Sequence, residues 1–152
     1  DRLYALVDQT FTLHVHDQHG KKLYSIKRNE KKRPVTSNDK KKIIDFYKTN
    51  TLTTNDIRLL KPFHFPEYFP AIKNFTVSED QIYVITYHED DTGKFECLVM
   101  DLKGKEIKRT YIPVTDSELL QLSPFAVRNG SFHQLTEDEE EETWTLNITK
   151  VL

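Results

Sequence analysis

Apolar and polar residues alternate with period two over most of the chain, in short runs separated by polar clusters. That alternation predicts strands. Phe11-Thr12-Leu13-His14-Val15-His16 places Phe11, Leu13 and Val15 on one face, and Phe95-Glu96-Cys97-Leu98-Val99-Met100 does the same with Phe95, Cys97 and Val99. When the two runs are superposed, Asp17-Gln18-His19-Gly20-Lys21 falls on Asp101-Leu102-Lys103-Gly104-Lys105, so both belong to one repeating unit. Trp144-Thr145-Leu146-Asn147-Ile148-Thr149 is a third copy. It puts Trp144, Leu146 and Ile148 on the same face, and all nine residues are expected to be buried.

The neighbouring strands repeat as well. Leu3–Val7, Ile82–Thr86 and Phe132–Leu135 precede the three copies, joined to them by the polar hairpins Asp8-Gln9, His88–Gly93 and Glu137–Glu142. Lys22–Ile26 and Glu106–Ile112 follow the first two, while Asn74–Val77 and Pro124–Arg128 open the second and third units. Asn129-Gly130 reads as a two-residue hairpin turn with positive φ. The full unit is four antiparallel strands in about 40 residues, the arithmetic of a propeller blade. The fold class expected is therefore all-β, a partial β-propeller of four-stranded antiparallel blades with one short helical insertion. Residues 1–33 form a partial blade, 34–72 the helical and Pro/aromatic insertion, 73–114 a complete blade and 115–152 a second partial blade. Blades cut in this way do not close a ring, so further blades or a second copy of the chain are expected to cover the open edges.

Within the insertion, Ser37-Asn38-Asp39 offers helix-capping chemistry, and Ile43, Ile44, Phe46 and Tyr47 have near-helical spacing over Lys40–Lys48. Thr53–Asp56 suggests a second short turn. Prolines 62, 66 and 70 then exclude regular helix. The aromatics among them, Phe63, Phe65, Tyr68 and Phe69, with His64, are expected to pack across the top of the sheets and form the candidate binding surface.

Composition narrows the function classes. A formal charge of −2, with the only dense basic run at Lys27-Arg28 and Lys31-Lys32-Arg33, argues against a nucleic-acid surface. That run reads as a solvated loop. No apolar run approaches a membrane span or a signal-peptide core. The only methionine is Met100, so a chain beginning Asp1-Arg2-Leu3 reads as processed or as part of something longer. A single cysteine, Cys97, makes no intrachain disulfide.

Two places offer side chains for metal chemistry. The run HVHDQH, His14 to His19, holds three imidazoles and a carboxylate, but His14 and His16 fall on the strand face opposite Leu13 and Val15, His19 falls in the turn, and no nearby ligand completes a zinc set. The acids Glu137–Glu142 could gather calcium, yet consecutive side chains point apart and read as a solvated loop. Nucleophile elbow, phosphate loop and zinc motif are all missing. Sequons at Asn74, Asn129 and Asn147 occur at about the frequency chance supplies. No catalytic or metal-binding residue and no cofactor is assigned on these grounds.

Phe65-Pro66-Glu67-Tyr68-Phe69-Pro70-Ala71, followed by Phe75-Thr76-Val77 and Gln81-Ile82-Tyr83-Val84, resembles the six-bladed β-propeller proteins of bacterial envelopes related to the NHL and TolB types. The Asp101–Lys105 hairpin and the helical excursion at Asn38–Lys48 fit the same resemblance. It implies the C-terminal portion of such a propeller, an extracytoplasmic location, and a non-catalytic binding or scaffold module that presents its loops to a protein, peptide or glycan. The alternative it implies is a metal-dependent, lactonase-like hydrolase using the central channel of the complete ring.

Overall fold

The computed structural model describes residues 2–6, 9–49, 64–118, 121–138 and 141–152. The chain divides into two compact units, Asp1–Lys31 with Pro70–Leu152, and Lys32–Phe69. The expected Thr53–Asp56 turn, Phe63, Asp8 of the first hairpin, and Glu139 and Glu140 of the acidic run lie outside the described residues.

The larger unit is β throughout. Its first sheet has the order β1 (Arg2–Leu6), β2 (Phe11–Asp17), β3 (Lys22–Arg28). After the helix α1 (Ser37–Thr49) of the smaller unit comes a middle sheet of β4 (Asn74–Ser78), β5 (Gln81–Glu89), β6 (Phe95–Asp101) and β7 (Glu106–Ile112). A two-stranded ribbon, β8 (Asp116–Glu118) with β9 (Gln121–Leu122), precedes a third sheet of β10 (Phe125–Arg128), β11 (Ser131–Asp138) and β12 (Thr143–Lys150). Every pairing is antiparallel and joins consecutive strands. The ribbon β8–β9 gave no signal in the sequence, because its strands are too short for alternation to show.

Turn chemistry sets the register. In three hairpins an aspartate stands where the strand ends and its Oδ1 accepts two backbone N–H groups: Asp17 from His19 and Lys21 (2.9 and 3.0 Å), Asp90 from Thr92 and Lys94 (2.8 and 3.0 Å), Asp101 from Lys103 and Lys105 (both 2.9 Å). Gly20, Gly93 and Gly104 close these turns at φ 81°, 78° and 86°, a backbone region that penalises any Cβ. The β5–β6 connection, read from sequence only as a longer polar hairpin, is thus Asp90-Asp91-Thr92-Gly93-Lys94, a third Asp-x-x-Gly-Lys turn. Asn129-Gly130 adopts the expected positive φ at both positions (50° and 64°). Glu79-Asp80 does the same at 51° and 59° without a glycine.

Packing runs through both faces of the middle sheet. One face, with Ile82, Val84, Leu98 and Met100, closes on Phe11, Leu13, Val15 and Ile26 of the first sheet. The other, with Tyr83, Ile85, Cys97, Val99 and Ile112, closes on Val127 and Phe132 of the third. This is why β5 and β6 read as continuous apolar runs, whereas β2 alternates buried and half-buried residues. Gly104 has no room for a side chain, since a Cβ there would collide with Ile26. Tyr24 of β3 donates its hydroxyl to the Leu102 carbonyl of the same turn (2.7 Å).

The expected nine-residue buried face is half realised. Phe11, Leu13, Val15, Cys97 and Val99 are buried and Phe95 is half-buried. Trp144, Leu146 and Ile148 are instead 55%, 57% and 61% exposed. They project from the side of the third sheet opposite Phe132 and Val127, and no described sheet lies on that side. The hairpin acids also differ from expectation, because Glu137 and Asp138 belong to β11 and pair with Trp144 and Thr143.

In the smaller unit the helix begins earlier than its apolar spacing suggested. Thr36, not Ser37, Asn38 or Asp39, is the capping residue: Asp39 Oδ2 accepts the Thr36 N–H (2.9 Å), and Thr36 Oγ1 accepts the Asp39 N–H (3.2 Å). This reciprocal pair satisfies two backbone donors at the helix start.

Candidate functional site

The candidate surface named from the sequence lies in the smaller unit and is built from two antiparallel segments. Val35 donates its N–H to the Glu67 carbonyl and Phe69 donates to the Arg33 carbonyl, both at 2.9 Å. Pro34 and Tyr68 form the bridge between them. This pairing brings the basic run alongside the aromatic run. Lys32 Nζ stands 5.7 Å from the Tyr68 ring centroid, the Arg33 guanidinium 4.6 Å from that of Phe69, and Lys40 Nζ 5.9 Å from that of Phe65. Lys32 and Arg33, expected in a solvated loop, and Lys40 of the helix therefore back the rings, an attraction worth about 0.5–1 kcal/mol each at exposed sites.

Exposure along the strip is uneven. His64 and Tyr68 are exposed, Phe65 is half-buried and Phe69 is buried. The Glu67 carboxylate, which hydrogen-bonds the Tyr68 phenol, holds it above its ordinary pKa. At Asp39 burial acts to raise the pKa, but the Thr36 hydroxyl and N–H, followed by the Arg33 guanidinium, outweigh it and hold the carboxyl below its ordinary value. Arg33 makes a forked contact to Asp39 (3.3 and 3.2 Å) while lying on Phe69, so one side chain links the helix start to the aromatic strip.

A second cluster, in the larger unit, was not legible in the sequence. Glu30, Lys31, His88, Glu89, Glu96, Arg109 and Tyr111 line a shallow cleft of about 270 Å³. Arg109 reaches Glu96 (2.7 Å), Glu106 (3.0 Å) and Glu30 (3.2 Å), and Arg28 reaches Glu30 (2.7 Å) and Glu106 (2.6 Å). Hydrogen bonds donated to Glu106 raise the Arg109 pKa above its ordinary value against the opposing effect of burial, and Glu96 and Glu30 add to this. Burial works to raise Glu30, but Arg28 and Arg109 outweigh it and lower it. Each arginine is thus committed to two or more carboxylates. These pairs fasten β3 to β7. The cluster's ion-paired residues lie up to 79 positions apart, so no motif spacing could reveal it.

Lys73 and Asp116 make a third polar contact at 2.9 Å. The Lys73 side chain is 1% exposed and its ammonium lies 5.2 and 4.5 Å from the Tyr87 and Phe95 ring centroids. An ammonium this deep depends on its carboxylate and on the negative ring faces.

The histidines of the HVHDQH run sit where the strand pattern predicts them. His14 and His16 share one face of β2, their ring centroids 6.3 Å apart and near edge-on, and His19 occupies the turn. His14 Nδ1 is 2.8 Å from Ser25 Oγ and His16 Nδ1 is 2.9 Å from the Gly20 carbonyl. Among the described residues no group of three or more His, Cys, Asp or Glu is placed to hold a metal ion, and no helix is long and apolar enough to cross a membrane.

No family model, curated protein or solved structure matches the chain.

Proposed function

We propose that the three sheets are blades of a six-bladed, NHL/TolB-like propeller of the bacterial envelope, and that the chain works as a non-catalytic binding or scaffold module. Consecutive antiparallel strands, the recurring Asp-x-x-Gly-Lys turns, and a middle sheet covered on both faces by sheets of its own kind support the architecture. The cation-backed aromatic strip supports the binding role, and it is the observation that carries the reading. Exposed Tyr68 offers an amphipathic ring held by its neighbours, so little side-chain freedom is lost on contact.

Charge indicates the ligand class. Residues 32–69 contain eight Lys or Arg (32, 33, 40, 41, 42, 48, 58, 61) against four Asp or Glu (39, 45, 56, 67), a formal charge of +4. The whole chain carries −2, so the remainder carries −6. A strip of rings in this positive setting fits an acidic protein or peptide segment with an aromatic or apolar anchor better than a neutral glycan.

The test is a peptide array alongside a glycan array, probed with the chain and with its Tyr68→Ala and Phe65→Ala variants. Binding to acidic peptides that weakens with salt and falls about tenfold or more in the variants is expected of a central aromatic anchor. Hydrolysis of a lactone or ester panel that EDTA abolishes would replace this reading with the lactonase-like one.

A further inference from the structure

The outer side of the third sheet gathers four exposed large hydrophobic residues, Leu135, Trp144, Leu146 and Ile148. Register places Ala126, His133 and Ile148 in one row across β10, β11 and β12, Leu135 with Leu146 in the next, and Glu137 with Trp144 in the last. Leu135, Trp144, Leu146 and Ile148 are 37%, 55%, 57% and 61% exposed. Isolated exposed leucines need no explanation, but a contiguous patch of large side chains on one sheet marks an interaction surface.

The repeat states what kind of surface it is. The residues equivalent to Trp144, Leu146 and Ile148 are Phe11, Leu13 and Val15 in the first sheet, and Phe95, Cys97 and Val99 in the middle one. In the first sheet that face closes on the middle sheet, and in the middle sheet it closes on the third. Each time, the covering face is the opposite one of the next sheet. The stack also keeps one sense. Ser78 donates to the Val127 carbonyl (2.8 Å) and the Asn129 N–H donates to Glu79 Oε1 (2.8 Å), which sets the equivalent hairpins β4–β5 and β10–β11 side by side.

One face of the covering kind remains open. The middle sheet is covered on both sides, and among the described residues no sheet lies on the outer side of the first, which carries Leu3, Ala5, His14, His16, Leu23 and Ser25. Leu3 and Leu23 are 56% and 48% exposed. His14 and His16 occupy the positions that Leu98 and Met100 hold on the covered face of the middle sheet. At the Phe11 end this side carries Lys27, across from Thr12, and the equivalent end of the third sheet's outer side carries Glu137, across from Trp144. Stacked in the same sense, the two ends bring opposite charges together.

We propose that the outer face of the third sheet docks on the outer face of the first sheet of a second copy of this chain, head to tail, extending the stack between molecules. The contact is heterologous, and on the six-bladed reading, with three blades per chain, two copies use up all four outer faces and close a ring. The contact itself follows from the stacking alone and is independent of the ligand assigned to the aromatic strip.

The experiment is sedimentation velocity over a dilution series, with acrylamide quenching of the single tryptophan as the second readout. Wild-type protein is expected to pass from monomer to a closed dimer as concentration rises, with Trp144 becoming protected in parallel. Leu146→Glu spoils one face and Leu23→Glu the other, and both positions are exposed, so each variant should keep the wild-type circular dichroism while sedimenting as a monomer. An equimolar mixture of the two retains one intact pair of faces and should form a 1:1 dimer and nothing larger. A wild-type chain that stays monomeric with Trp144 open at every concentration overturns the proposal. So does a mixture that stays monomeric, or self-association of Leu23→Glu alone, which would mean that the third sheets meet each other.

Discussion

Leu13 and Leu146 are the same residue at the same position of the repeat, and they live in opposite surroundings. Leu13 is fully buried between the first and middle sheets, while Leu146 is 57% exposed on the outer side of the third. Both strands write the same apolar alternation, so the pattern records which side of a strand is suited to burial and not whether anything buries it. Burial belongs to the pair of faces. In the middle sheet both faces have partners, and the result is a run from Ile82 to Thr86 and another from Glu96 to Met100 in which every residue is buried.

The sharpest way to break the comparison is to cut both leucines back. Leu13→Ala removes packed methyl groups and leaves a cavity, and it should lower the unfolding free energy by about 2–5 kcal/mol. Leu146→Ala, measured at a concentration where the chain is monomeric, should stay within about 0.5 kcal/mol. Urea denaturation of the two variants decides. Equal losses would mean that the third sheet's outer side is covered within one molecule.

A polar version of the same contrast is next in size. Glu96 lies on β6 with its side chain 7% exposed, held by Arg109 and by the Thr86 hydroxyl at 2.9 Å. Arg109→Ala leaves that carboxylate short of its cation, at a cost of about 1–3 kcal/mol for a charged group losing a hydrogen-bond partner, the lower end being expected because Arg109 is itself partly exposed. Glu137→Ala on the third sheet's outer side should cost almost nothing. An Arg109→Ala, Glu96→Gln double variant recovering part of the loss would assign it to the uncompensated charge.

Acid should act on the first and middle sheets before it acts on the third. Glu30 is held below its ordinary pKa, burial opposing and the arginines prevailing, and Glu106 is lowered chiefly by its hydrogen bond from Arg109. Lowered carboxyls bind protons less readily folded than unfolded, so their contribution is complete above the ordinary glutamate range and is lost as pH falls through the lowered values. Arg109→Ala should flatten that acid limb of the stability profile. An unchanged limb would show that the cluster contributes nothing to acid sensitivity.

Much of the sheet framework was legible because it rests on local devices: alternation for strands, Asp-x-x-Gly-Lys for turns, Asn-Gly for the β10–β11 hairpin. The same turn at Asp90-Gly93-Lys94 is present in the sequence, but it joins β5 to β6, where the other two units carry hairpins of different length and composition, so the repeat does not expose it. Thr36 was missed as the helix cap because Ser37, Asn38 and Asp39 all offer capping oxygens, and only the reciprocal bond with Asp39 distinguishes it. The Arg109 cluster was not legible at all. It joins side chains from β3, β6 and β7 and from beyond the end of β3, and nothing local to Arg28 or Arg109 announces a partner some 78 residues away. Of the candidate surface, the aromatic run was legible, but the role of Lys32, Arg33 and Lys40 behind the rings was not, because cation and ring meet only through the Pro34–Tyr68 bridge.

The smallest effect in energy is the cleanest in contrast, because it reads the two faces with probes already in the chain. Cys97 and Leu146 share a repeat position, and Trp144 stands one strand residue pair away from Leu146 on the same face. Burial pushes the Cys97 thiol up to about 12, with the neighbouring Glu96 charge adding to the shift, and the side chain lies among Ile85, Val99 and Phe132. Thiolate is the reactive form, so labelling at neutral pH requires both deprotonation and opening of the contact between the middle and third sheets. Cys97 should therefore react with a thiol reagent only as fast as the molecule opens, and denaturant should accelerate it sharply. Trp144 in the monomer should be quenched by acrylamide nearly as readily as in the unfolded chain. Rapid native labelling of Cys97 would show that the packing of the middle sheet against the third does not hold in solution, and with it would go the rule by which the outer face of the third sheet was assigned a partner.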